Sequence, residues 1–353
     1  MSKQLMKGNE AIAQAAINAG CEAFFGYPIT PQNEIGEYMA KYLAKNNGVF
    51  IQAESELAAI NMVYGAAAAG ARVMTSSSSP GIALKQEGIS YMAGAELPGL
   101  IVSVSRGGPG LGGILPAQSD YNQATRGGGN GDYHVIVLAP NGVQEAADMM
   151  RQGFELAERY RNPVMVLADG IIGQMMEPVE MNVRPLAKTD KPWASDGNSG
   201  IRPRNVVNSL FLNPQDLENH NIHLKAKYDS IEQNEVMAEV SQCEDAEVVL
   251  IAYGTPSRIV KSAIGQLRAE GVRVGLIRPR TLWPFPHEII KANTQKCKFI
   301  LTCELSMGQM VNDVRLAVGN QVPVYFYGRT GGMIFEPSEI VGAVKKHLAG
   351  ETK

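Results

Sequence analysis

The sequence predicts an α/β protein of two domains built on mainly parallel sheets, and three observations carry that expectation. Short apolar runs alternate with segments of helical period along most of the chain, the pattern of crossover connections that cover both faces of a parallel sheet. The 353 residues suffice for two cores. A polar stretch over residues 184–243 interrupts the alternation, which places a first domain at 1–183, a connection at 184–243 and a second domain at 244–353.

Composition narrows the class. Hydrophobic content of 45% and charged content of 19% describe a globular protein rich in small residues, and 37 glycines imply many tight turns. A net charge of −3 with no long basic cluster argues against a nucleic-acid surface. The four cysteines, Cys21, Cys243, Cys297 and Cys303, form no CxxC pair, so neither an iron–sulfur cluster nor a zinc site is expected in this chain. Free thiols suit a reducing cytoplasm, and no apolar run approaches bilayer length, so the expected location is cytoplasmic, away from membranes.

In the first domain, a helix over 8–19 is capped by Gly20, and a strand over 23–27 is closed by Pro28-Ile29-Thr30-Pro31. The two prolines fix the backbone around Thr30 at a strand end, before a helix over 34–43; Thr30 as that helix's N-cap is the alternative. A strand over 49–51 runs into Glu54 and Glu56, behind which lies an alanine-rich helix with almost no charge. Such a helix is expected to be buried, with Gly65 and Gly70 at its closest contacts. Glu56 at its start is a candidate for handling protons, because the helix dipole favours its ionised form while burial opposes it; acidic decoration of a first turn is the alternative.

A strand over 72–75 then ends in the polar turn Ser76-Ser77-Ser78-Ser79-Pro80-Gly81, followed by a helix over 83–95. The strand over 100–104 ends at Ser105-Arg106 and a glycine-rich loop. An arginine at a strand end with glycines around it suits bidentate binding of a carboxylate or phosphate; a plain surface loop is the alternative. A strand over 134–138, a helix over 143–160 and a strand over 163–168 complete the domain. The connection includes polar clusters and an amphipathic helix over 216–239. The second domain alternates strands over 247–253, 272–277, 299–303 and 322–326 with helices, and has fewer convergent polar groups.

Three stretches taken in this order, Gly26-Tyr27-Pro28-Ile29-Thr30-Pro31, Gln52-Ala53-Glu54-Ser55-Glu56 and Ser103-Val104-Ser105-Arg106-Gly107-Gly108-Pro109, resemble the α subunit of 2-oxoacid:ferredoxin oxidoreductases. Ala252-Tyr253-Gly254-Thr255 and Leu276-Ile277-Arg278-Pro279 resemble that family's transketolase C-terminal-like domain. Ala117-Gln118-Ser119-Asp120-Tyr121 is most similar to the branched-chain (2-oxoisovalerate) type, with the 2-oxoglutarate type as near neighbour. The resemblance implies a pyrimidine-type thiamine diphosphate domain followed by the transketolase-like one. It implies that Glu56 bonds the N1′ nitrogen of the cofactor's aminopyrimidine, with Glu54 as fallback and Tyr27, Pro28 and Ser78 beside it. Thr30 and Arg106 would engage the substrate carboxylate. The implied reaction is oxidative decarboxylation of a 2-oxoacid to acyl-coenzyme A, with electrons passed to ferredoxin.

No strand-GDG segment with a downstream Asn is present. The resemblance therefore implies a β subunit for the diphosphate and Mg²⁺, together with γ and ferredoxin-like δ subunits for the iron–sulfur clusters. A non-catalytic assembly subunit, with Glu56 purely structural, is the rival reading.

Overall fold

The computed structural model describes residues 3–197 and 200–350, so two positions of the polar cluster at 195–200 lie outside the described residues. In chain order the strands are β1 Gln4–Lys7, β2 Ala23–Gly26, β3 Val49–Gln52, β4 Val73–Ser77, β5 Gly99–Ser105, β6 Ile136–Leu138, β7 Pro163–Asp169, β8 Met176–Val179, β9 Ala238–Ser241, β10 Val248–Ile251, β11 Val274–Pro279, β12 Thr281–Trp283, β13 Phe299–Glu304 and β14 Val324–Gly328. The helices are α1 Gly8–Asn18, α2 Asn33–Tyr42, α3 Glu56–Ala68, α4 Ser79–Gly94, α5 Tyr121–Arg126, α6 Val143–Tyr160, α7 Gly170–Gln174, α8 Pro214–Asn234, α9 Gly254–Ala269, α10 His287–Thr294, α11 Met310–Val318 and α12 Pro337–Leu348.

The first sheet runs β12-β6-β7-β5-β4-β2-β3 and is parallel except for β12. Its central strands β4, β5 and β7 are buried along their whole length, as strands covered on both faces must be. Because the strands are parallel, the segments following β2, β3, β4 and β5 all emerge at one edge. That is the carboxyl edge where open α/β sheets bind ligands. The second sheet, β14-β13-β10-β11-β9, is parallel except for β9. The fold is thus α/β with two parallel-sheet units, as expected.

Several local readings need correction. Ser79-Pro80-Gly81 is the first turn of α4 rather than a turn before it, and Gly254-Thr255-Pro256-Ser257 likewise opens α9. In both, Pro occupies an early helical position where its missing N–H costs nothing. The charged helix of the connection stops at Asn234, and part of its expected tail is strand β9. Helix α3 is not buried all round, since Leu57, Asn61 and Gly65 are exposed and no atom among the described residues beyond the helix itself would touch a Cβ added at Gly65. Among the described residues no element packs against that side.

The connection lies on the first domain. Arg72, nearly fully buried, forks onto Glu158 with Nε–Oε1 3.0 Å and Nη2–Oε2 2.9 Å, and also donates to the carbonyls of Ala19 and Ala187. Lys191 completes the cluster, donating to Glu158 at 2.9 Å and to the Gly70 carbonyl. Across the two sheets, Arg278 forks onto Glu145 of α6 at 2.8 and 3.1 Å while its Nε bonds Glu239 at 2.8 Å, and Arg280 adds a third bond to Glu145 at 2.7 Å.

Candidate active site

The carboxyl edge of the first sheet gathers the predicted residues on four adjacent strand ends. The loop after β2 is pinned by its backbone. Gln32 donates to the Tyr27 carbonyl at 3.2 Å, and Asn9 and Gln174 both donate to the Pro31 carbonyl, at 2.7 and 3.0 Å. Tyr27, Pro28 and Thr30 are exposed on this loop. Helix α2 begins at Asn33 with Gln32 at its N-cap, so Thr30 is not a capping residue. Tyr27 and Pro28, with Gln32, Asn33 and Gln52, line a cavity of about 280 Å³ whose floor is the stacked pair Phe24 and Phe50.

Glu56 is the first residue of α3 and only 7% exposed. Capping is done by Ser55, whose hydroxyl accepts from Ala58 N at 3.1 Å, leaving the Glu56 carboxylate free. That carboxylate accepts no hydrogen bond among the described residues. It lies over Gly81: a Cβ there would stand 2.1 Å from Ser77 Oγ and 2.7 Å from Glu56 Oε1. Ser78, at the N-cap of α4, is fully buried, and its hydroxyl and that of Ser77 have no partner among the described residues. Glu54 is exposed and apart from this arrangement.

Arg106 follows β5 and is 6% exposed. Its Nη1 donates to the Thr30 carbonyl at 2.8 Å and Nη2 to the Leu111 carbonyl at 3.2 Å, while Nε is buried without a partner among the described residues. Thr30 and Arg106 are therefore brought together, though through the threonine's backbone. Two carbonyls occupy two of the five guanidinium donors, and those remaining can bind an oxyanion.

Two residues that the sequence reading did not single out complete the site. Asp120 accepts from the hydroxyls of Ser79 at 2.5 Å and Ser105 at 2.8 Å, and Ser79 in turn accepts from Arg106 N at 2.9 Å. Burial pushes the Asp120 carboxyl above its ordinary value, against those hydroxyls and the Arg106 charge. Its one local signal is its place in the 117–121 stretch. Lys85 of α4 is fully buried, donating to Thr75 Oγ1 at 2.5 Å and toward the Ser76 carbonyl at 3.4 Å. Burial pushes its ammonium down to about 7, with the Glu56 charge opposing. A lysine at a helical position gives no such warning in sequence.

An unbonded carboxylate, two unpartnered buried hydroxyls and a glycine that keeps the space between them clear fit a flat ring bearing both hydrogen-bond donors and acceptors. An aminopyrimidine is such a ring. Among the described residues no group of three or more His, Cys, Asp or Glu side chains could hold a metal ion.

Comparison with known proteins identifies the family. Residues 14–240 match the family described as pyruvate flavodoxin/ferredoxin oxidoreductase, thiamine diphosphate-binding, and residues 246–340 match pyruvate:ferredoxin oxidoreductase core domain II. The chain belongs to the 2-oxoacid:ferredoxin oxidoreductase family. It is 50% identical to the ketoisovalerate oxidoreductase subunit VorB of Methanothermobacter marburgensis, over 100% of this chain and 99% of that protein. It is 36% identical to the 2-oxoglutarate synthase subunit KorA of Methanothermobacter thermautotrophicus, over 97% and 98%. The structure of 2-oxoglutarate:ferredoxin oxidoreductase from Magnetococcus marinus, with 2-oxoglutarate, coenzyme A and succinyl-CoA bound, superposes with TM-score 0.87 at 31% identity, covering 98% of this chain and 65% of that one. A split-gene transketolase, at 14% identity and TM-score 0.63 over 98% of both chains, shares the fold. As a member of this family the chain is an oxidoreductase subunit that works with partner subunits. No helix among the described residues is long and apolar enough to cross a membrane.

Proposed function

We propose that this chain supplies the aminopyrimidine-binding and substrate-carboxylate-binding half of an enzyme that decarboxylates a branched-chain 2-oxoacid oxidatively to its acyl-coenzyme A, with ferredoxin as electron acceptor. The observation that carries this reading is the unbonded Glu56 carboxylate at the start of α3, on the sheet edge that also holds Arg106. When bound, thiamine diphosphate supplies a nucleophilic carbon and an electron sink. Glu56 holds and returns a proton at the N1′ nitrogen, which needs an acidic partner to stabilise its protonated form. Ser77 and Ser78 offer hydroxyls to the ring, Gly81 clears its face, and Tyr27 and Pro28 border it. The free donors of Arg106 hold the oxoacid carboxylate, with the Thr30 hydroxyl beside it.

The preference for a branched apolar side chain rests on the identity of 50% against 36% and on the surroundings of Arg106. The loop from 107 to 116 carries Leu111, Ile114 and Leu115, all exposed, and no charged residue. It meets the 331–333 turn, where a Cβ at Gly332 would lie 2.4 Å from Leu115 Cβ, with Met333 exposed nearby. Arg329, two residues before that turn, is paired with Glu339. A second carboxylate, as in 2-oxoglutarate, would find no free cation there among the described residues.

The diphosphate, Mg²⁺ and iron–sulfur clusters belong, on this reading, to partner subunits, and the domains are those at 1–183 and 244–353 joined by 184–243. The assembled complex, given 2-oxoisovalerate plus coenzyme A, should bleach its iron–sulfur absorbance, and 2-oxoglutarate should do so at least tenfold less efficiently. Equal or reversed efficiencies would favour the 2-oxoglutarate assignment, and no bleaching with any 2-oxoacid would favour a non-catalytic assembly role.

A further inference from the structure

Lys85 stands out in the interior of the first domain. Its Nζ has three N–H donors, of which two are engaged, both by neutral oxygens: the Thr75 hydroxyl at 2.5 Å and the Ser76 carbonyl at 3.4 Å. Thr75 is itself committed, donating to the Phe25 carbonyl at 2.6 Å. A lysine with no exposed surface is rarely tolerated without an opposite charge, because desolvating an ammonium costs far more than neutral hydrogen bonds return.

The opposite charge is Glu56. Gly81 and Lys85 are four residues apart on α4 and so share one face of that helix, and the Glu56 carboxylate lies directly over Gly81. From β4, the groups facing Lys85 are Thr75 and Ser76, which do not titrate. On α4 itself the nearest acid, Glu87, is exposed and bonded to Tyr91. Glu56 is the charge that acts on the ammonium.

We propose that Lys85 is a positioning residue for Glu56, a buried counter-charge that keeps that carboxylate turned toward the cofactor face. The proposal rests on the assignment of Glu56 given above. A buried positive charge one helical turn from the carboxylate attracts it and so sets the direction in which it faces the ring. Glu56 in return favours the charged form of an ammonium that burial drives toward neutrality.

The pairing is tested first without the cofactor reaction, by thermal unfolding of the full chain and of Lys85→Met, Lys85→Gln, Glu56→Gln and the Lys85→Met/Glu56→Gln double variant across pH 6 to 9. A buried lysine that titrates near 7 in the folded chain and near 10.5 in the unfolded one penalises folding below 7, and that penalty is relieved as pH rises. The Tm difference between the wild-type chain and Lys85→Met should therefore move in favour of wild type above about pH 7. In the Glu56→Gln background the same rise should begin at lower pH, because the supporting charge is gone. Additive effects with the same pH midpoint in both backgrounds would overturn the proposal.

In the assembled complex, Lys85→Gln keeps donors for Thr75 and Ser76 but carries no charge. If charge matters, Lys85→Gln and Lys85→Met both change the pH profile of kcat/KM and lower its value about tenfold or more. If Lys85→Gln keeps the wild-type profile, Lys85 is only a structural hydrogen-bond donor. Should Glu56→Gln itself retain activity, the Glu56 assignment fails separately, whatever the unfolding data show.

Discussion

Arg106 is committed to two backbone carbonyls through single N–H bonds and keeps Nε free, so its value to the site lies in the fork rather than the charge alone. Arg106→Lys keeps the charge and loses the planar pair of donors. Its expected effect is a KM for the 2-oxoacid raised roughly 10- to 100-fold, the size of a lost charge-assisted bond, with kcat reduced less, as steady-state kinetics of the complex would read. The arginine was legible because glycines on one side and a strand on the other isolate it in the sequence. Asp120 and Lys85 were not, since what singles them out is burial. Asp120 is held to Ser79 and Ser105 across a fold-dependent gap, and Lys85 is turned inward on a helix whose apolar period is too weak to orient it.

At the scale of the element, the junction of α3 and α4 depends on Gly81. Replacing a helical glycine by alanine commonly stabilises a helix by up to about 1 kcal/mol. Here the new methyl would meet Ser77 Oγ and the Glu56 carboxylate, so Gly81→Ala should displace the carboxylate. We expect Tm to change little and kcat to fall by about tenfold or more, measured by thermal unfolding and turnover on the same complex. The sequence signalled the elements well wherever an apolar run met a glycine or proline, as at β2, β3 and β5. It misled where Ser-Pro-Gly and Gly-Thr-Pro-Ser looked like turns, because the proline that punctuates a loop also fits the first turn of a helix. Strands β9 and β12 were hidden for another reason. Each is an antiparallel edge strand whose partner lies far away in sequence, and β12, although it comes from the second half, pairs with β6 of the first sheet. No local periodicity encodes such a pairing.

At the scale of the whole molecule, the two sheets are held together by a buried ion cluster and by a polar clasp. Gln118 donates to the Tyr253 carbonyl at 3.0 Å and accepts from Leu305 N at 3.1 Å, two residues before Asp120. The 117–121 stretch thus joins the second domain to the Arg106 site, a role invisible in its composition. In the ion cluster, burial alone would push the Glu145 carboxyl up, but Arg278, the Asn141 N–H and Arg280 together hold it below its ordinary value. A carboxylate whose folded value is depressed contributes stability that is present above its unfolded value, near 4.5, and is lost as pH falls through the folded one. Glu145→Ala should remove three charge-assisted bonds while leaving Arg278 paired with Glu239, and cost about 1–3 kcal/mol in denaturant unfolding at neutral pH. The variant should also lose less stability than wild type on acidification below about pH 4.5.

The measurement that tests the account most directly is Glu56→Gln in the co-expressed complex, assayed for 2-oxoacid-dependent reduction of an electron acceptor, with thermal stability and subunit assembly as controls. The account predicts a fall of about 10²- to 10⁴-fold in turnover with folding and assembly intact, the size of a lost acid–base group. Turnover retained within a few-fold would contradict it and would make Glu56 no more than the acidic first turn of α3.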